Sequence, residues 1–277
     1  MAVIALMSAA GAPGCTTTAL GLALTAEGPT LLVEADPAGS ALASGWFRGT
    51  VDHSHGLLNL ALGGTDGLAG AILAESVVVD QDADRRILLG LADPAQAATI
   101  EPWWGQIGSA LHELATAGYT VVVDLGRAHH RHEPALVDHA DLVVVVCRAT
   151  LSSAVRTQPL VAELDARLSA RGLADRLGLA VIGSTDYTPA EVARALGAPL
   201  LLRLPEDPRH ARVLSDGAVE RRFESSGLLR ACRDGSRELV DQVLRGRDRI
   251  ATGVGAPSLN APPSTRTHRH RPRSTKC

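Results

Sequence analysis

Along the chain, short runs that are apolar at nearly every position alternate with longer stretches in which apolar residues recur every three or four positions. The short runs are 2–8 (AVIALMS), 30–36 (TLLVEAD), 85–91 (RRILLGL), 119–126 (YTVVVDLG), 141–149 (DLVVVVCRA), 177–184 (LGLAVIGS) and 199–206 (PLLLRLPE). A strand buried on one face alternates apolar and polar residues, whereas a strand buried on both faces is apolar throughout. The longer stretches predict helices near 16–26, 103–117, 151–169, 189–196 and 226–245. Strand–helix alternation of this kind predicts an α/β fold, a mostly parallel sheet of about seven strands with helices on both faces. Such sheets bind ligands at the carboxyl ends of their strands, so function is sought in the loops that follow the runs.

Two segments depart from the alternation. Residues 40–84 are less regular and rich in Gly, Asp and His, which predicts short helices or mobile loops. Residues 251–277 combine Pro, Ser, Thr, Arg and His with few apolar groups. A segment of that composition buries too little surface to offset the entropy of ordering, so a disordered basic tail is expected there, after a domain over 1–250.

Composition narrows the class. The chain has 277 residues, 45% apolar and 21% charged, as a soluble globular protein has. No apolar run reaches the roughly 18 residues of a membrane helix. The first basic residue is Arg48, so no positively charged leader is expected. Cys15, Cys147, Cys232 and Cys277 are too scattered for a metal motif. The reading is a cytoplasmic protein with reduced thiols, free or peripheral to a membrane. Its net charge is −3 and the tail carries +5, which leaves −8 on residues 1–250. An acidic body argues against a dedicated nucleic-acid surface.

The loop between the first strand and the first helix carries the most specific chemistry. Residues 10–19 read AGAPGCTTTA. Gly11 and Gly14 let the backbone curl so that successive N–H groups face an anion, and the helix N-terminus behind them adds partial positive charge. Thr16 and Thr17 bring hydroxyls to the helix start, Thr16 as the ligand of a nucleotide-bound Mg²⁺. Cys15 stands where a phosphate loop has its lysine. Lys276, next to last in the chain, is the sole lysine, so none in the body can take that role.

This loop resembles the deviant Walker A motif of the ParA/MinD family of P-loop ATPases, K-G-G-x-G-K-[ST]-T, against which residues 10–17 read A-G-A-P-G-C-T-T. Gly11, Gly14, Thr16 and Thr17 match; Ala10 and Cys15 replace both lysines. Further segments are similar in order and spacing. EADPAG, Glu34 to Gly39, resembles the end of the family's second strand, which makes Asp36 the switch I carboxylate near the attacking water and Mg²⁺. VVVDLG makes Asp124 the Walker B aspartate. LPEDPRHARVLSDG, 204–217, resembles the segment that cups the adenine, with Pro205 and Glu206 beside the base.

The resemblance covers most of residues 1–245 and implies a SIMIBI-type P-loop NTPase fold, with ATP and Mg²⁺ as ligands held by Gly11, Gly14, Cys15, Thr16, Thr17, Pro205 and Glu206. It also implies protein partners and a homodimer. The degenerate loop and short accessory loops are similar to the CpaE/TadZ branch, which positions pilus and secretion machinery.

The missing lysines change the expected chemistry. A charge-assisted contact to phosphate is worth roughly 1.5–3 kcal/mol, and more in a transition state. In the family the signature lysine crosses the dimer interface, which Ala10 cannot do. Weak or absent hydrolysis is therefore expected, a pseudo-ATPase. Retained binding and a relic loop that serves as a docking scaffold both fit the residues. Arg127 and Arg148, at strand ends, are candidates to replace the lysine in an active switch ATPase. A DNA-partitioning protein is a further alternative.

Other candidates have plainer readings. His129, His130, His132, Glu133, Asp138 and His139 suit a transition metal or a pH sensor, but also an ordinary polar loop. Cys15 at a helix N-terminus suggests a reactive thiol, or simply a small residue that fits. Trp103 and Trp104 are adjacent and cannot share one helix face, so one is expected in the core and the other suits an interface. The tail could contact a membrane or nucleic acid, or remain solvated.

Overall fold

The computed structural model describes residues 1–9, 14–51, 55–63, 67–128 and 134–251. Its strands are β1 (Val3–Ser8), β2 (Thr30–Glu34), β3 (Val77–Asp80), β4 (Arg85–Leu88), β5 (Thr120–Arg127), β6 (Leu142–Arg148), β7 (Leu177–Ile182) and β8 (Leu200–Leu204). They form one sheet in the order β3-β4-β2-β5-β1-β6-β7-β8. Every pairing is parallel except β3 with β4. The helices are α1 (Cys15–Thr25), α2 (Leu57–Gly63), α3 (Leu68–Ala74), α4 (Ala97–Ile100), α5 (Trp104–Thr116), α6 (Pro134–His139), α7 (Leu151–Ser169), α8 (Pro189–Leu196), α9 (Pro208–Asp216) and α10 (Gly227–Ala251).

The seven apolar runs all fold as parallel strands, and their composition has the expected cause. On β1, Val3, Ala5 and Met7 enter one core with α5 and α7, while Ile4 and Leu6 enter a second core with α1 and α10. On β6, Val143, Val145 and Cys147 face the first core, and Leu142, Val144 and Val146 the second. Strand side chains alternate between faces, so a strand with a core on each side must be apolar at every position. Trp104 is buried in the first core and Trp103 packs part-buried against it, so Trp103 is anchored within its own chain.

The region 40–84 holds more order than expected. Residues 77–80 form the eighth strand, a short antiparallel edge hairpin with β4. Residues 41–49 form successive turns seated on the end of α9, where a Cβ on Gly45 would lie 2.1 Å from the Ser215 carbonyl oxygen. Residues 252–277, nearly all of the expected tail, lie outside the described residues. No helix among the described residues is long and apolar enough to cross a membrane.

Candidate functional site

The carboxyl ends of β1, β2, β5, β6, β7 and β8 surround a cavity of about 400 Å³. Its floor is the start of α1. Gly14 caps this helix with φ 96° and ψ 31°, a left-handed conformation that glycine adopts without strain. Thr18 N–H donates to Gly14 O at 2.8 Å and closes the first helical turn. The N–H groups of Cys15, Thr16 and Thr17 precede that bond and have no partner within the helix. Gly14, Cys15, Thr16 and Thr17 all line the cavity, whereas Gly11 and Ala10 lie outside the described residues.

Asp124 lies on β5 directly behind the loop, buried. It accepts from the Cys15 thiol at 3.2 Å, from the Gly126 N–H at 3.0 Å and from the Thr16 hydroxyl. Burial raises its pKa, with a smaller push from Asp36, and these donors counter only part of that. The Cys15 thiol is raised well above its ordinary value, first by burial and then by the neighbouring Asp124 charge. Of the two readings of Cys15 this supports the plainer one, a small residue that fits: at neutral pH the group is a thiol that donates to Asp124. Such a donor fits position 15 only because the side chain is short and aimed inward.

Asp36 reaches the cavity from the turn after β2. Its carboxylate accepts from the Ala38 N–H at 2.8 Å. It packs so closely on Gly126 that a Cβ there would lie 1.8 Å from Asp36 Oδ2, and Gly126 also has φ 63°. A side chain at position 126 would therefore meet both a clash and backbone strain. The turn itself is organised from below by buried Glu34, which accepts from the N–H groups of Ala41, Leu42 and Gly90 and from the Ser40 hydroxyl. Burial outweighs those donors and leaves the Glu34 pKa above its usual range.

At the opposite end Pro205 and Glu206 follow β8 and line the cavity, beside Ile182 and Leu204. Arg148, from the end of β6, contacts Glu206 through Nη1 and Oε1 at 2.5 Å. Asp207 caps α9 and holds the His210 ring at 2.7 Å. Arg127, exposed at the end of β5, lines the cavity near the loop. Ser8, Ile182, Asp207 and Leu228 line it too and were not anticipated. The first three sit just at or beyond strand ends, the signal that would have found them; Leu228 comes from α10, which only the tertiary packing brings there.

The histidine-rich stretch divides. His129, His130, His132 and Glu133 lie outside the described residues. Asp138 is held by Arg167 at 2.8 Å and Arg171 at 2.5 Å, and the His139 ring packs on Gly108. No group of three or more His, Cys, Asp and Glu is placed for a metal among the described residues.

A mostly parallel eight-stranded sheet with helices on both faces has counterparts among solved structures. One is a ParA family ATPase from Chlorobium tepidum, with TM-score 0.64 and 19% identity, covering 85% of this chain and 98% of that one. Another is the MinC:MinD cell division protein complex of Aquifex aeolicus, with TM-score 0.65 and 16% identity, covering 87% and 96%. A third is the septum site-determining protein MinD of Pyrococcus horikoshii complexed with Mg-ADP, with TM-score 0.61 and 19% identity, covering 92% and 98%. The fold is that of the ParA/MinD P-loop ATPases. No protein-family model and no curated protein matches the sequence. The likeness to these structures is one of overall fold, over 85% or more of this chain. Asp36, Gly14 to Thr17, Pro205 and Glu206, scattered over almost 200 positions, share one cavity in this ParA/MinD fold.

Proposed function

We propose that this chain is a ParA/MinD-like P-loop protein that binds ATP with Mg²⁺, hydrolyses it weakly or not at all, and acts as a positioning or scaffolding factor. The observation that carries the reading is the cavity itself. It keeps the backbone donors of α1, a hydroxyl and carboxylate set, and a recess at Pro205–Glu206, yet no lysine lines it among the described residues. Thr16, Asp36 and Asp124 are hard oxygen donors that suit Mg²⁺, which would neutralise phosphate charge. Similar folds include one solved with Mg-ADP and one solved with a protein partner, which supports nucleotide binding and a protein partner here. A homodimer and peripheral membrane contact belong to the same reading. The finer assignment, a Tad-type pilus or secretion system, rests on the degenerate loop alone. The charge of −8 on residues 1–250 counts against DNA partitioning.

Calorimetry of the full chain with Mg-ATP tests the binding, with Gly14→Arg as a blocked-loop control whose folding is checked by a thermal melt. Micromolar binding lost in the control supports a nucleotide-gated scaffold. No heat at millimolar Mg-ATP would make the loop a relic. Turnover above background that disappears in both Asp36→Ala and Asp124→Ala would replace the reading with an active ATPase.

A further inference from the structure

We infer that Arg127 supplies, from the end of β5, the cation that the phosphate loop lacks at Cys15, and so is the residue that reads the length of a bound phosphate chain. This inference rests on the nucleotide-binding reading above and deepens it.

Three observations converge on Arg127. The first is position. Arg127 pairs in register with Ser8, the last residue of β1, and the next N–H, of Ala128, donates to Ser8 O at 2.6 Å. The strand end is thereby fastened beside the point where the phosphate loop departs. Arg127 lines the cavity with Gly14 to Thr18 and Asp36.

The second is the state of the alternatives. Position 15 supplies no cation in this chain, because the residue there is a thiol, buried and turned onto Asp124. Arg127 and Arg148 are the arginines that line the cavity. Arg148 is engaged by Glu206 at the far end. Arg127 has no ion-pair partner among the described residues, and its side chain is exposed at the cavity mouth. The third is charge. With Arg148 set against Glu206 and Asp207 set against His210, the charged residues left among the described lining are Asp36 and Arg127. A polyphosphate entering beside them meets a carboxylate, which a divalent cation can bridge, and one guanidinium, which can take two phosphate oxygens in its planar fork.

The test is displacement of a fluorescent ATP analogue from the full chain by ATP, ADP and AMP, each with Mg²⁺. The proteins compared are wild type, Arg127→Ala, Arg127→Lys, Arg148→Ala and the double variant Arg127→Ala with Cys15→Lys. Wild type is expected to favour ATP over AMP. Arg127→Ala should lose roughly 10- to 100-fold in ATP affinity, the worth of one charge-assisted contact, with a much smaller loss for AMP. Arg127→Lys should keep most of the preference. Cys15→Lys should return ATP affinity to Arg127→Ala, since it restores the cation from the other side of the same phosphates. Arg148→Ala should weaken ATP and AMP alike.

The inference is overturned if Arg127→Ala binds ATP within about twofold of wild type, if it weakens ATP and AMP equally, or if wild type does not distinguish the two. A wild type that binds no nucleotide overturns the preceding reading and this one together. A wild type that binds, with Arg127→Ala unaffected, overturns this one alone.

Discussion

At the end of the cavity nearest α1, the polar groups are turned on one another. The Cys15 thiol, the Thr16 hydroxyl and the Gly126 N–H all donate to Asp124, which is 1% exposed. At the other end Arg148 and Glu206 meet at 2.5 Å while their side chains stay 43% and 44% exposed. The first end is a buried network, where each group depends on the others because no water can replace a lost partner. The second is a solvated ion pair, which a ligand can part at small cost. The contrast shows that the side chain at position 15 serves the fold, through Asp124, rather than facing a ligand.

The comparison is broken most severely at Gly126. Gly126→Ala places a methyl on the Asp36 carboxylate at a left-handed φ. A loss of about 3 kcal/mol or more in unfolding free energy is expected by chemical denaturation, from strain and clash combined. Stability equal to wild type would show that Asp36 swings away freely and that the loop end is not a rigid network.

Next comes Glu34, which holds the turn bearing Asp36. Glu34→Gln turns an amide onto backbone donors and should cost about 1–3 kcal/mol. The pH dependence has a definite sign. The Glu34 pKa is raised in the folded protein, so the folded state binds this proton more tightly than the unfolded chain. Its contribution is full below the ordinary value of 4.5 and is lost as pH rises through the folded value. The stability gap between wild type and Glu34→Gln should therefore narrow from pH 4 upward. A gap that widens with pH would mean that the four donors outweigh burial.

Cys15→Ala removes a thiol donor from Asp124 and is expected to cost about 1–2 kcal/mol. Thiol labelling sharpens the point without a mutation. Burial raises Cys15, pushes Cys147 up to about 11 and pushes Cys232 up to about 12. All three should label slowly at pH 8 in the folded protein and promptly in denaturant. Rapid native labelling of Cys15 would place it on the ligand side of the loop.

The smallest effect belongs to the base end. Arg148→Ala should change the unfolding free energy by less than about 1 kcal/mol, since the pair is solvated and screened. A larger loss would show that this end, too, is part of the fold's framework, and the contrast between the two ends would fall.

Seven of the strands and the long helices behind them were legible in the sequence, because each is written in local spacing: apolar runs for doubly covered strands and period for helices. The edge strand β3 was not, being four residues long and only part-buried, so that its order comes from pairing with β4 rather than from its own pattern. That Asp36 and Glu206 fall near one another was expected through resemblance, and both line the cavity, while Asp124 lies buried behind Cys15. What each neighbour does there was not legible. Cys15 and Asp124 are 109 residues apart, and Arg148 and Glu206 are 58 apart. Their pairings follow from strand order, which places β1 beside β5 and β7 between β6 and β8, and no local pattern encodes that order. The sequence by itself determined the α/β alternation and that residues 1–250 contain no lysine. Only the tertiary structure decided that the substituted cysteine is tied to Asp124, that Arg148 is engaged and that Arg127 stands at the cavity mouth. The physical reason is that hydrogen bonds and ion pairs are short-range, so which groups meet is settled when the sheet is assembled.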